Sequence, residues 1–194
     1  MEFEILFAQD TECPDQTVKD AYKMFQNIYW RTPGHLGNFL SMAEQDFATN
    51  KTIVARPTGT KNVCGVILSD KDPAFTNPLF IKHDVKNRLL SALHLENFNG
   101  ISRLSSIAVD EPYRQNGIAK GLYKFALQDS QNRCIGLMLK ENKIGDLSAQ
   151  KSGFHDIPSL DFIQNYRRDG KKIVMDDQGD LTCRWQMITT LEIS

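Results

Sequence analysis

The sequence predicts a mixed α/β fold, and three observations support that prediction. Short apolar runs alternate with stretches in which apolar residues recur every three or four positions. Residues 103–140 follow the order strand, helix, strand, which is typical of a parallel strand pair joined by a helix. The chain has 194 residues, 41% of them hydrophobic, so it can build an ordinary globular core.

The first third of the chain predicts one strand, two helices and a hairpin. EFEILFAQ (2–9) predicts the strand, and TVKDAYKMFQNIYW (17–30) predicts the first helix because its apolar residues fall on one helical face. RTPG ends that helix, and LGNFLSMAEQDFA (36–48) predicts the second. KTIVARP (51–57) and NVCGVILSD (62–70), joined by TGTK, predict a hairpin.

Residues 71–99 interrupt this rhythm with two prolines, and then DVKNRLLSALHLEN (84–97) predicts a short helix with Asp84 as its N-cap. Strand, helix, strand and helix follow in SRLSSIAVD (102–110), GIAKGLYKFALQDSQ (117–131), CIGLMLKE (134–141) and KIGDLSAQKS (143–152). Gly153 is expected to end the last of these helices. KKIVMD (171–176) and LTCRWQMITTLEI (181–193) predict a terminal antiparallel pair, and RRDGKK (167–172) the tip of a hairpin.

Charge and cysteine content exclude several classes of function. The formal net charge of -1 argues against nucleic acid or an anionic membrane as a partner. Cys64, Cys134 and Cys183 lie in apolar runs, where free thiols of a reducing compartment are expected. No cysteine pair or nearby histidine has zinc-ligand spacing, so we expect no metal. The start MEFEILFAQD carries acids where a signal peptide needs bases, which predicts a soluble cytoplasmic protein.

DEPYRQNGIAKGL (110–122) forms a tight junction between a predicted strand and a predicted helix. RQNGIA (114–119) fits the pattern Q/R-x-x-G-x-G/A. The first N–H groups of a helix have no intrahelical acceptor and converge on one point, and Gly117 leaves the backbone open to a ligand. The junction therefore predicts a diphosphate site. The dinucleotide fingerprint and the P-loop both need residues that are absent here.

The strand LSSIAV (104–109), this junction and the helix GIAKGLYKFAL together resemble the cofactor motif of the GNAT superfamily of acyl-CoA-dependent N-acyltransferases. NKIGDLSAQKSGF (142–154) is similar to the family's stretch after the fifth strand, where an Asn starts a helix that ends in Gly-Phe. The resemblance implies a GNAT-like central mixed sheet with flanking helices and a splayed parallel strand pair, 103–109 and 134–140. It also implies a single domain, 1–194, with an insertion at about 71–99.

The resemblance further implies acetyl-CoA, or a related acyl-CoA, as cofactor, with the pantetheine arm in the gap between the splayed strands. Backbone groups of Ile107 and Val109 would pair with the arm, and an N–H near Val109 would polarise the thioester carbonyl. The other implied cofactor residues contribute backbone N–H groups to the pyrophosphate, an arginine side chain, or the start of the last helix: Arg114, Gln115, Asn116, Gly117, Ile118, Ala119 and Asn142.

The catalytic positions depart from the family. Many members use a glutamate on the fourth strand as base and a tyrosine on the last helix as acid, but the matching residues here are Arg103 and Ala149. An arginine cannot act as a base. Ser148, next to Ala149, could donate a proton or hold a water, or be a solvated helix serine. Glu141 could act as a base through water, or be an exposed carboxylate at a strand end. Both are candidate catalytic residues.

Two functions remain open. The first is an N-acyltransferase that transfers an acetyl group from acetyl-CoA to an amine of a small molecule or protein by direct attack. The second is a GNAT-fold module that binds acyl-CoA with weak or no catalysis, as a sensor or partner-binding domain. The chain is expected to be a monomer or homodimer. The insertion, too apolar for disorder, is expected to form either a wall of the acceptor site or a dimer surface.

Overall fold

The architecture is that of a computed structural model, which describes residues 2–30, 47, 51–70, 83–139, 142–157, 162–165, 167–168, 171–172 and 182–192. Besides the helical Phe47 and two short 3-10 helices, these ranges hold four α-helices: α1 (Pro14–Trp30), α2 (His83–Ala92), α3 (Ile118–Asp129) and α4 (Lys143–Gln150). The first five strands are β1 (Phe3–Phe7), β2 (Lys51–Pro57), β3 (Gly65–Asp70), β4 (Ser102–Val109) and β5 (Cys134–Leu139). The other strands are β6 (His155–Asp156), β7 (Phe162–Asn165), β8 (Arg167–Arg168), β9 (Lys171–Lys172) and β10 (Thr182–Thr189).

Among the described strands, eight form one mixed sheet in the order β1-β2-β3-β4-β5-β10-β6, with β7 also paired to β10. Every neighbouring pair is antiparallel except β4 and β5, which are parallel, as the sequence predicted. This parallel pairing covers only three residue pairs, from Ser102↔Cys134 to Leu104↔Gly136. Beyond Leu104 no further pairing joins the described residues of the two strands, so the predicted splayed pair is present.

The helices cover both faces of the sheet. On one face, α3 and the end of α4 pack through Leu122, Tyr123 and Ala149 onto Ile67 and Leu104. On the other face, α1 packs onto β2, β3 and β4 through Ala21 and Phe25. We call these the α3 face and the α1 face. Because successive strand residues point to opposite faces, each strand contributes to both cores.

Helix α2, within the predicted insertion, has its own core cluster. Leu89 and Leu93 are buried with Phe98 and Ile101 against Ile135 of β5. Cys134 belongs to the core on the α3 face, and Gly136 lies against Ile188 of the same core. Ile135, between them, points to the opposite face, so α2 covers the α1 face beside the splayed pair. The apolar stripe of this helix is therefore buried within its own chain, as a wall of the body.

Several sequence predictions need correction. Helix α2 begins at His83, so Asp84 lies inside its first turn and is not the N-cap. The predicted pairing of 171–176 with 181–193 is wrong at Lys171–Lys172, which pairs with Arg167–Arg168 in the hairpin that RRDGKK predicted, and 173–176 lie outside the described residues. Strand β10 pairs with β5, β6 and β7. Lys171 and Lys172 pair locally because the RRDGKK turn brings them next to Arg167 and Arg168. The predicted helix 36–48 lies outside the described residues apart from Phe47, which is helical.

Candidate acyl-CoA site

A bulge in β4 sets which side chains line the gap. Leu68 pairs with Ser105 but Val66 pairs with Ala108, so one extra residue lies in β4. Ser106, within this step, has a φ of 53°. Because of the extra residue, Ile107 and Val109 pack on the α3 face with Leu104, and Ala108 enters the core under α1. A regular strand would have put Ile107 on the opposite face.

The backbone of Val109 faces the gap. The Asp110 N–H donates to the Cys64 carbonyl at 2.9 Å, on the side of β3. Neighbouring residues of a strand direct their N–H and C=O groups to opposite edges, so those of Val109 point away from β3, as do those of Ile107 two residues earlier. The edge of β4 away from β3 thus carries the backbone groups of the two residues that the sequence predicted, and the Val109 carbonyl there accepts from Arg114 Nε–H at 3.2 Å.

Hydrogen bonds to its own backbone carbonyl oxygens hold the loop after β4 in place. Asp110 and Glu111 accept from the N–H groups of Tyr113 and Arg114 at 3.0 and 3.2 Å. The Asn116 amide donates to the carbonyls of Tyr113 and Arg114 at 3.2 and 3.1 Å. The Asp110 carboxylate accepts from the Glu111 N–H at 2.9 Å. These bonds occupy the carbonyl oxygens of residues 110, 111, 113 and 114 within the loop itself, which holds the loop in a fixed shape before α3.

Left-handed backbone at two positions turns this loop into the start of α3. Gln115 has a φ of 66° and Gly117 a φ of 79°. The first helical bond runs from the Gly121 N–H to the Gly117 carbonyl, so the N–H groups of Ile118 and Ala119 have no acceptor within the helix. A Cβ built on Gly117 would meet no heavy atom within 4 Å. The helix start therefore faces open space, as a diphosphate requires.

Asn142 acts as the N-cap of α4. Its Oδ1 accepts from the Gly145 N–H at 3.0 Å. At the other end, the Phe154 N–H donates to Ala149 and the Gly153 N–H to Gln150, with Gly153 at a φ of 94°. These are the bonds of a glycine-terminated helix, as predicted. In the structure, Asn142 therefore caps the start of α4.

The structure also places the departures from the family pattern. Arg103 is only 4% exposed and lies in register with Asp70 on β3 and Ile135 on β5. Ala149 is fully buried with Tyr123 and Phe154 in the core on the α3 face. Ser148 is half-buried on α4, and Ser152 Oγ donates to its backbone carbonyl at 2.8 Å. Glu141 lies outside the described residues.

Two cysteines are unsuited to act as nucleophiles. Burial raises the pKa of the Cys134 thiol to about 11, although its contact with Ser130 Oγ at 2.8 Å opposes that rise. Burial likewise raises the pKa of the Cys64 thiol to about 11. Thiols with such values are almost entirely protonated at neutral pH.

The described residues hold no group of three or more His, Cys, Asp or Glu side chains that could bind a metal ion. Within the same part of the chain, none of the helices is both long and apolar enough to cross a membrane.

Comparisons with known proteins agree with this geometry. Neither a protein-family sequence model nor a curated protein sequence matches the chain. Solved structures do match: an acetyltransferase of the GNAT family from Streptococcus pneumoniae has 13% identity and a TM-score of 0.55 over 98% of this chain and 100% of its own. The ribosomal-protein-S18-alanine N-acetyltransferase from Escherichia coli has 12% identity and a TM-score of 0.54 over 100% and 97%.

A third similar structure is that of yncA from Salmonella typhimurium, solved with its cofactor acetyl-CoA, with 12% identity and a TM-score of 0.56 over 100% of this chain and 97% of its own. Many of the similar structures are GNAT-family acetyltransferases. With the mixed sheet, the splayed pair and the glycine-containing loop before α3, the chain has the fold of the GNAT acetyltransferases.

Proposed function

We propose that the protein is an acyl-CoA-dependent N-acetyltransferase, with 1–194 as a single catalytic domain. The observation that supports this most strongly is the joint arrangement of β4, which is not paired to β5 beyond Leu104, and the start of α3, whose first N–H groups have no acceptor within the helix. A pantetheine arm needs a strand edge with which to pair, and a diphosphate needs N–H donors. CoA contains both an arm and a diphosphate. The match of the whole chain to acetyltransferase structures supports one domain.

In the proposed reaction, the nitrogen of a neutral amine attacks the carbonyl carbon of the thioester. The C–S bond breaks, the CoA thiolate leaves, and the amine loses one proton. The Val109 N–H, on the edge of β4 away from β3, would stabilise the oxyanion. Since an alkyl amine has a pKa of about 10.4, a base or a poorly solvated site must supply the neutral form.

A cavity supports the amine as acceptor. It has a volume of about 230 Å³ and lies between α1 and the ends of β3 and β4, lined by Asp20, Lys23, Met24, Asn27, Val63 and Asp110. Its two carboxylates outnumber its one ammonium group, which favours a cationic amine over an anion. Asp110, which follows Val109 directly, is the lining residue nearest in sequence to the proposed cofactor edge.

Ser148 and Glu141 are the proposed proton-handling groups. Ser148 would protonate the leaving thiolate, directly or through a water, and Glu141 would accept the amine proton through water. Ser148→Ala should lower kcat about tenfold or more while the acetyl-CoA affinity stays unchanged. Ser152→Ala, one turn further along, is the matched control. Equal kcat in Ser148→Ala and Ser152→Ala would remove Ser148 from the mechanism, and Glu141→Gln tests the base in the same assay.

The second candidate function is acyl-CoA binding with little catalysis. The full burial of Ala149 favours it, because the helix position that carries the family's tyrosine has no proton donor here. Thiol release from acetyl-CoA, measured over a broad panel of small amines and amine-bearing peptides, separates the two. Amine-dependent release supports the transferase. Tight CoA binding without release from any amine supports the binding module.

A further inference from the structure

Asp110 follows the last residue of β4, and two hydrogen bonds fix its position. Its backbone N–H donates to the Cys64 carbonyl at 2.9 Å, and its side-chain Oδ1 accepts from the Glu111 N–H at 2.9 Å. It is the N-cap of the short 3-10 helix Glu111–Tyr113, with extended backbone at a φ of -62° and a ψ of 141°. The cap bond restricts the carboxylate to one orientation before any ligand binds.

The second carboxylate oxygen of Asp110, Oδ2, makes no hydrogen bond or ion pair within the part of the chain that the structure describes. Burial is the main cause that raises the pKa of the neighbouring Cys64 thiol, and the charge of Asp110 adds to that rise. The other charged groups around this carboxylate come from α1 and from the loop: Asp20, Lys23, Glu111 and Arg114. Oδ2 is therefore available to a ligand in the cavity.

The chain places Asp110 directly beside the proposed oxyanion donor, the N–H of Val109. The Cα atoms of the two residues are about 3.8 Å apart, the fixed spacing across a trans peptide bond. Val109 packs on the α3 face, whereas Asp110 lines the cavity against α1. An amine in that cavity would therefore approach the thioester from the α1 face, with this carboxylate at its side.

We propose that Asp110 is the catalytic base that receives the amine proton. This inference rests on the proposed function. As the N–C bond forms, the nitrogen gains positive charge and becomes far more acidic than a free ammonium group, so an ordinary carboxylate can take one of its protons. Oδ2 accepts that proton, and the C–S bond breaks with its electron pair on the leaving thiolate. The proton on Asp110 then passes to solvent, directly or through water and Glu141.

Asp110→Asn separates the base from the cap, because an amide oxygen still accepts from the Glu111 N–H but an amide is not a base at neutral pH. With acetyl-CoA and the best amine of the panel, kcat should fall about hundredfold or more. CoA affinity by calorimetry and the midpoint of chemical unfolding should stay unchanged. Glu111→Gln is the matched control, since it removes a charge from the same loop at a residue that does not line the cavity, and it should keep kcat within about twofold.

Asp110→Ser adds a second measurement. A serine hydroxyl can still cap the 3-10 helix but leaves room for a small carboxylate, so added formate should raise the kcat of this variant about tenfold or more and leave Asp110→Asn unchanged.

Three outcomes would overturn the inference: equal kcat in Asp110→Asn and Glu111→Gln, a loss of kcat in Asp110→Asn that is matched by a loss of CoA affinity or stability, or no effect of formate on Asp110→Ser. The second outcome would indicate a structural role, and the third would show that a missing base is not the defect. If the natural protein releases no thiol with any amine, the proposed function fails and this inference fails with it. If turnover survives intact in Asp110→Asn, only the role of Asp110 fails.

Discussion

At the scale of single residues, Ser106 lies in the bulge that directs the Ile107 and Val109 side chains to the α3 face. Its φ of 53° is uncommon for a residue with a Cβ and is especially costly for a β-branched one. We expect Ser106→Gly to keep or slightly raise the free energy of unfolding, and Ser106→Val to lower it by about 1–3 kcal/mol. Chemical denaturation measures both. Ser105→Val, in the same strand but outside the left-handed region, is the control; an equal loss there would show that the bulge is not the cause.

The cysteines give a second prediction at this scale. Cys13 is exposed, whereas Cys64 and Cys134 are buried with pKa values raised to about 11. In the folded protein at pH 8, iodoacetamide should modify Cys13 and spare the other two, and denaturation should make all three reactive. Peptide mass spectrometry measures the extent of modification. Cys64→Ala and Cys134→Ala should keep turnover, and a stable acyl-cysteine that disappears together with activity in either variant would contradict direct attack.

At the scale of secondary structure, Gly65 lets α3 approach the sheet closely. A Cβ at this position would lie 2.8 Å from Ile118 Cγ2, 3.2 Å from Leu122 Cδ1 and 3.3 Å from Ala55 Cβ. Gly65→Ala should therefore shift the start of α3, lower the free energy of unfolding by about 1–3 kcal/mol and weaken CoA binding. In the double variant with Ile118→Ala, the loss should be smaller than the sum of the single losses. Strict additivity would show that the contact between α3 and β3 does not limit the site.

Helix α2 gives the other prediction at this scale. Leu89 is fully buried in the cluster that joins this helix to β5. Leu89→Ala should cost about 2–5 kcal/mol, measured by denaturation, while Ser91→Ala on the exposed side should cost little. If Leu89→Ala keeps full stability but turns a dimer into a monomer, the apolar stripe of α2 forms an interface between two chains.

We propose that the insertion forms a wall of the acceptor site. In that case Leu89→Ala should change the KM for the acceptor more than the affinity for CoA.

At the scale of the whole molecule, the sequence predicted more of the cofactor side than of the acceptor side. The parallel pair, the loop and α3 are predictable because apolar periodicity, Gly117 and the RQNGIA pattern are all local signals. The bulge at Ser106 was not predictable, since two adjacent serines within an apolar strand do not show which of them adopts a positive φ. The hairpin at 167–172 was predicted from its turn, but the partners of β10 were not, because they depend on contacts distant in sequence. Because Arg103 and Ala149 occupy the positions where many family members have their base and acid, the sequence pattern alone does not identify the acid and base of this chain.

The most direct test of the central claim is the affinity of the protein for CoA, measured by calorimetry in the natural protein and two glycine variants. Gly117→Glu places a carboxylate where the diphosphate should bind, and Gly100→Glu is its match, since Gly100 also has a positive φ of 71° and open space around it but precedes β4 at the other end of the strand. The natural protein and Gly100→Glu should bind CoA alike, and Gly117→Glu should lose about 2 kcal/mol or more. Equal CoA binding by a folded Gly117→Glu protein would contradict the proposed site.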